Sequence, residues 1–222
     1  MKRAVDLVLA GTGLVVGAPL LALLSAAIRL DSPGPVLFRQ TRIGRHRQPI
    51  QTFKLRTMVV DTEGVGTQIT ARNDPRITRV GRWLRRTKLD ELPQLWNVLR
   101  GDMSLVGPRP EVPRYVDAYR PEWENLFSVR PGLTDPASLV FRDEERLLAS
   151  AHDQELAYRE VIMPIKLQLA LEGVERSSFR HDLGILARTV SAVLRRRPPH
   201  QDPIVVEVER RIEQLNRSAE VS

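Results

Sequence analysis

Cysteine is absent from all 222 residues, which excludes a disulfide scaffold, a zinc ribbon and a thiol nucleophile. Histidine is scarce. The four residues, at positions 46, 152, 181 and 200, form neither an HExxH string nor a paired ligand spacing, so a histidine metal centre is not expected. Internal repeats and low-complexity tracts are missing, and no long polar linker divides residues 31–194 into two domains. Charge is missing altogether from residues 7–28.

What is present is a chain that is 42% hydrophobic with a net charge of +7, too apolar for a disordered protein and long enough for one sizeable domain. The charge is uneven: +7 over residues 1–60, +3 over 61–110 and −3 over 111–222. A basic N-terminal half suits nucleic acid, anionic lipid or a phosphate-rich substrate.

The uncharged stretch covers 22 residues, enough at about 1.5 Å each to cross a hydrocarbon core of about 30 Å. It exceeds the apolar region of a secretory signal, and it lacks the polar face of a soluble helix. Two readings remain, a transmembrane helix and an element that enters the membrane and turns back. Pro19, preceded by Gly11, Gly13 and Gly17, predicts a kink at Ala18-Pro19. Lys2 and Arg3 lie before the stretch and Arg29, Arg39, Arg42, Arg45 and Arg47 after it, so both flanks suit the cytoplasmic side.

After the DSPGP turn at 31–35, residues 36–44 and 49–58 predict a β-hairpin, and residues 61–81 read mostly as loop. Leu92, Leu95, Trp96 and Leu99 have helical spacing. Thr87 followed by Asp90 resembles a helix cap, whereas Pro93 prefers a first helical turn. Asp90 and Glu91 therefore fall at a helix start or at a kink just before one, where the local dipole favours an ionised carboxylate. Helices are expected around 114–127, over 143–173 with an interruption at Pro164, and over 179–194. A linker over 195–203 leads to a short amphipathic tail carrying Ile204, Val208, Ile212 and Leu215. Trp83 and Trp96 read as packing or interfacial residues.

The conspicuous chemical feature is the adjacent pair Asp90-Glu91, close to an arginine run and followed by Arg109. Hard carboxylate oxygens suit Mg²⁺ and guanidinium forks suit phosphate. Beside a membrane element, this points to phosphate chemistry at a bilayer surface. The bland reading is a solvated Asp-Glu pair on an arginine-rich helix.

The strings SPGPVLFRQTRIG, FKLRTM, NDPRITRVGRWLRRTKLDELPQLWNVLRGDMSLVGPRPE and RPGLTD resemble the bacterial sugar transferase family across roughly residues 1–195. Its members are monotopic polyprenyl-phosphate phosphoglycosyl transferases, and the chain looks like their minimal catalytic form. The resemblance implies an α+β, mostly helical monotopic membrane protein with a small β-hairpin. Residues 1–30 would form a re-entrant helix-break-helix turning at Pro19, residues 31–197 a catalytic domain on the cytoplasmic face of the inner membrane with interfacial amphipathic helices, and 198–222 a linker and tail.

It also implies that Asp90 is the nucleophile, that Glu91 holds Mg²⁺, and that Arg85 and Arg109 bind phosphate. The substrates would be a nucleotide-sugar, usually a UDP-sugar, and polyprenyl phosphate, usually undecaprenyl phosphate. The product would start exopolysaccharide, lipopolysaccharide or glycan assembly. The implied partners are inner-membrane lipid and downstream glycosyltransferases, with a homo-oligomer left open and no nucleic acid. The chain departs from the family's usual PGLTG at Gly132-Leu133-Thr134-Asp135-Pro136, and a tyrosine common near Gly173 is absent. The competing functions are a membrane-anchored binding protein for anionic lipid or nucleic acid, which has no use for Asp90, and an inactive scaffold of a polysaccharide-assembly complex.

Overall fold

The computed structural model describes residues 1–60, 70, 74–195 and 202–221. Most of the loop expected over 61–81, and most of the linker expected over 195–203, lie outside the described residues.

Helix α1 (Lys2–Asp31) is one continuous helix with Pro19 inside it. The expected helix-break-helix is corrected to this extent, while the mostly helical α+β class stands. The backbone angle of proline is already helical, and its missing N–H removes only the bond to the carbonyl four residues back, at Val15. The hydrogen-bond ladder therefore continues on both sides.

Both ends of α1 are fastened to the same body. The Arg3 guanidinium donates to Val98 O at 2.6 Å and Leu99 O at 2.9 Å. These carbonyls end α3 (Gln94–Arg100), where Val98 O also accepts from the Gly101 N–H at 3.1 Å, so Arg3 adds a C-terminal cap from another element. Buried Asp6 accepts from Ser104 Oγ at 2.9 Å and from the Leu105 N–H at 3.0 Å. Ala10 packs with Leu95, Val98, Met103 and Leu105, and Leu24 and Ile28 pack with Leu55 and Leu84. Asp31 Oδ2 accepts from the Val80 N–H at 2.9 Å. The remaining face is apolar and exposed, with Val15 at 76% and Leu23 at 70%.

Replacing Asp6 by Ala strips the buried Ser104 hydroxyl and Leu105 N–H of their acceptor at once. The expected cost is about 2 kcal/mol, read as a lower unfolding temperature in detergent. An unchanged transition would show that this buried carboxylate does not hold α1 on the body.

Strands β1 (Leu37–Ile43) and β2 (Pro49–Leu55) form the antiparallel hairpin, in register from Leu37↔Leu55 to Ile43↔Pro49. Paired residues share a face, so Phe38, Gln40 and Arg42 stand with Lys54, Thr52 and Ile50. Strands β3 (Ser104–Val106) and β4 (Gly132–Thr134) pair in parallel, Ser104 with Gly132 and Val106 with Thr134. A Cβ on Gly132 would sit 2.2 Å from the backbone of Gly107, so this close approach requires glycine. The loops leaving β3 and β4 emerge side by side, and they carry Arg109 and Asp135.

The C-terminal half is more broken than the sequence predicts. The stretch around 114–127 resolves into α4 (Pro113–Val116) and a 3₁₀ segment over Pro121–Ser128. Pro121 supplies no N–H and holds Arg120 extended. The helix expected over 143–173 becomes α6 (Glu144–Ala149), α7 (Gln154–Ala157) and α8 (Met163–Glu175), after a short α5 (Pro136–Val140). A π turn over Tyr158–Ile162 joins α7 to α8, and Pro164 sits in the first turn of α8, where its missing N–H costs little. Helix α9 (Phe179–Arg195) follows as predicted. The tail is a helix, α10 (Pro203–Val221), longer than expected, which buries Val205, Val208 and Ile212 in the main core with Tyr158, Val161 and Ile162.

Candidate active site

Asp90 and Glu91 fall between α2 (Arg79–Thr87) and α3, in a 3₁₀ turn over Leu89–Glu91. Lys88 precedes them in a left-handed conformation, φ 59°, which swings the chain out of α2. Thr87 is not a helix cap. It ends α2, and its hydroxyl donates back to Trp83 O at 3.0 Å. The carboxylates thus sit at the kink before α3, with Pro93 at its N-terminus.

The hairpin and the β3–α4 loop close around this turn. Arg109 donates from Nη1 to Glu91 Oε2 at 3.1 Å and from Nη2 to Glu91 Oε1. Lys54 Nζ donates to Glu91 Oε1 at 3.2 Å. Burial alone would resist ionisation of Glu91, but Arg109 and Lys54 outweigh it and hold the carboxyl well below the usual range. Lys54 bears the complementary burden: burial lowers its ammonium to about 8 despite Glu91.

Asp90 is pushed the other way. Burial first, and then the charge of Glu91, raise its carboxyl, with Lys54, Lys88 and Arg85 opposing. Desolvation and the charge of Glu91 thus work against whatever the local dipole contributes at this turn. Asp90 Oδ1 is buried and has no hydrogen-bond partner among the described residues. Two adjacent carboxyls are driven apart in acidity, one paired by two cations and one left without a direct partner.

The pair borders a cavity of about 900 Å³, whose polar wall includes Arg42, Lys54, Arg85 and Arg109 and whose apolar wall includes Phe38, Leu186, Val190 and Val193. Arg85 donates to Glu145 Oε1 at 2.8 Å and to Thr57 Oγ1 at 3.3 Å. All four residues singled out in the sequence, Arg85, Asp90, Glu91 and Arg109, border this one space. Lys54 and Arg42 were missed. The two-residue alternation of the hairpin was the signal that could have placed both on one face. Also missed was Glu111, which accepts from the Tyr158 hydroxyl and lies 4.0 Å from Arg42. Burial works against its charge, yet Arg42 and Lys166 hold it ionised.

The donor set fits a magnesium ion. Among the described residues no cluster of three acidic or histidine side chains could cage a metal. Mg²⁺ at phosphate sites commonly uses one or two carboxylates and takes its other ligands from phosphate and water. Among the described residues Asp90 Oδ1 is an acceptor without a partner, and Glu91 Oε2 accepts one bond, which leaves a lone pair.

Comparison with known proteins decides the lineage. The sequence profile described as bacterial sugar transferase matches residues 1–196. The chain belongs to the bacterial sugar transferase family. This transferase is 43% identical over 196 residues to the UDP-glucose:undecaprenyl-phosphate glucose-1-phosphate transferase of Caulobacter vibrioides, covering 87% of this chain and 69% of that protein. It is 48% identical over 143 residues to the Escherichia coli protein of the same name, covering 63% of this chain and 31% of that one. It is also 38% identical over 149 residues to the undecaprenyl-phosphate galactose phosphotransferase of Salmonella typhimurium, covering 60% and 31%. The transferase thus spans less than a third of the two longer relatives. Its exposed apolar α1 gives it a membrane-associating face.

Proposed function

We propose that this transferase moves a sugar 1-phosphate from a UDP-sugar to undecaprenyl phosphate through a covalent intermediate on Asp90, starting the assembly of a polysaccharide or glycan. The observation that carries the reading is the buried, unpartnered Asp90 oxygen in a cavity with a cationic wall and an apolar wall. A binding patch for anionic lipid gains nothing from burying two carboxylates there.

In the first displacement Asp90 attacks the β-phosphorus, and an Asp90 O–P bond forms. The P–O bond to the bridging oxygen breaks, its electron pair leaving with UMP. In the second, an oxygen of undecaprenyl phosphate attacks the same phosphorus. The acyl–phosphate bond breaks, and the Asp90 carboxylate returns. Arg109 and Arg85 orient phosphate oxygens and offset their charge, with Arg85 exchanging Glu145 for substrate. Glu91 would hold Mg²⁺, which supplies charge neutralisation of the diphosphate.

The test incubates the protein in lipid nanodiscs with a panel of UDP-sugars and undecaprenyl phosphate. Release of UMP and formation of lipid-linked sugar are expected with at least one sugar, abolished by chelation and restored by Mg²⁺. No release with any of them would overturn the reading.

The polar fastening of both ends of α1 to one body supports α1 entering the bilayer by its exposed face without crossing it, and the basic residues on both flanks of the uncharged stretch support a body on the cytoplasmic side of the inner membrane. Single cysteines at Lys2 and Arg39, in a chain with no native cysteine, should both escape an impermeant reagent added outside sealed cells. Labelling of only one would establish a crossing helix.

A further inference from the structure

Asp135 and Ser138 are buried polar groups that the reaction above does not use. Asp135 follows Thr134 at the end of β4, and its Oδ1 caps α5 by accepting from the Ser138 N–H at 2.7 Å. Its other oxygen, Oδ2, and the Ser138 hydroxyl are both buried without a partner among the described residues. Asp135 is 2% exposed, and both residues border the cavity that holds Asp90.

The nearby cations are engaged elsewhere. Arg109 is paired with Glu91, and Lys166 with Glu144 at 2.6 Å. Burial raises the Asp135 carboxyl, with its Ser138 bonds and Arg109 only partly opposing. Among the described residues no cation bonds Asp135 Oδ2 directly. A phosphate is excluded, because a carboxylate repels it.

The corner is close to the chemistry. Arg109, which holds Glu91, also donates to Leu133 O at 3.4 Å, two residues before Asp135. The uncharged group nearest a phosphorus attacked by Asp90 is the transferred sugar, joined to it through one oxygen. The uridine lies beyond a second phosphate. A carboxylate oxygen beside a hydroxyl complements two neighbouring polar groups on a sugar ring, each able to donate and accept.

We propose that Asp135 and Ser138 form the sugar-reading corner of the site, Asp135 Oδ2 accepting from one ring hydroxyl and Ser138 Oγ bonding its neighbour. This rests on the transferase reading above and assigns the part of the cavity that chooses among sugars. Sites built to hydrogen-bond a hydroxyl reject analogues that lack it, because the protein group is then left buried and unpaired.

The experiment uses the full chain in nanodiscs with Asp135→Asn and Ser138→Ala. Asparagine remains a good helix cap through Oδ1 while turning the second oxygen into a donor, and alanine keeps the Ser138 N–H, so the fold is preserved. Two quantities are read: the affinity for UDP alone, and kcat/KM for the preferred UDP-sugar and its single-deoxy analogues. Asp135→Asn should lower kcat/KM about 100-fold, and Ser138→Ala about 10-fold, with UDP affinity unchanged. The deoxy analogue that the parent protein rejects most strongly should be used by Asp135→Asn as well as the intact sugar is.

Undiminished kcat/KM in both variants, or an equal loss of UDP affinity, would overturn the assignment while leaving the transferase reading intact. A parent protein that uses no nucleotide-sugar would remove both.

Discussion

Asp90→Asn is expected to abolish transfer, lowering kcat at least about 1,000-fold, and to leave the protein folded and membrane-bound. The amide has nearly the shape of the carboxylic acid, and among the described residues Asp90 makes no ion pair within 4.0 Å whose loss would unbalance the interior. What disappears is the nucleophile. With UDP-sugar alone, the parent protein should release about one UMP per active site and retain a sugar phosphate, located on Asp90 by rapid quenching and peptide mapping. The Asn variant should do neither. Burial raises the Asp90 carboxyl, so the parent's rate should also fall as pH drops through that raised value, because only the ionised form attacks. Turnover by the variant at the parent rate, or an adduct on another residue, would dismiss Asp90 from its role.

Glu91→Gln should be costly for stability as well as for activity, which separates it from its neighbour. Glu91 is the shared counter-charge of Lys54 and Arg109. Removing one partner of a buried ion pair leaves an uncompensated charge, a cost of about 3 kcal/mol. In a domain of this size that corresponds to a fall of about 10 °C in Tm. Activity should fall at least about 100-fold, because the variant also loses the charge that holds Mg²⁺ and the anchor that aims Arg109. Adding Lys54→Met removes one of the stranded charges, so the double variant should recover part of the lost Tm without recovering turnover. Full activity in Glu91→Gln at low Mg²⁺ would remove the residue from the metal site; an unchanged Tm would deny the charge balance.

The contrast between the two carboxylates was not legible in the chain. Asp90 and Glu91 are adjacent, and Thr87 and Pro93 placed them at a helix start or at a kink just before one. Which of the two is paired and which is left open depends on Lys54, 37 residues away, and Arg109, 18 residues away, arriving on the Glu91 side. The same limit explains why Arg42, Lys54, Glu111 and Asp135 escaped a reading of motifs. Each looks like an ordinary loop or strand residue until the hairpin and the parallel β3–β4 pair bring it to one cavity.

Local physics was enough for other features. The uncharged run over residues 7–28 required an apolar helix, because no other short-range pattern satisfies its backbone away from water. The alternation and turn residues of 36–58 required a hairpin, and the spacing of Leu92, Leu95 and Leu99 a helix. The family was legible from the central block, and with it the four residues Arg85, Asp90, Glu91 and Arg109. Tertiary structure decided whether α1 leaves the body or lies along it, since the buried partners of Arg3, Asp6 and Asp31 come from residues 80–105. It also decided the acidity of Asp90, Glu91 and Lys54, because desolvation and charge pairing depend on distance in space. Neighbours in sequence determine helix and strand; neighbours in space determine which carboxylate is free to react.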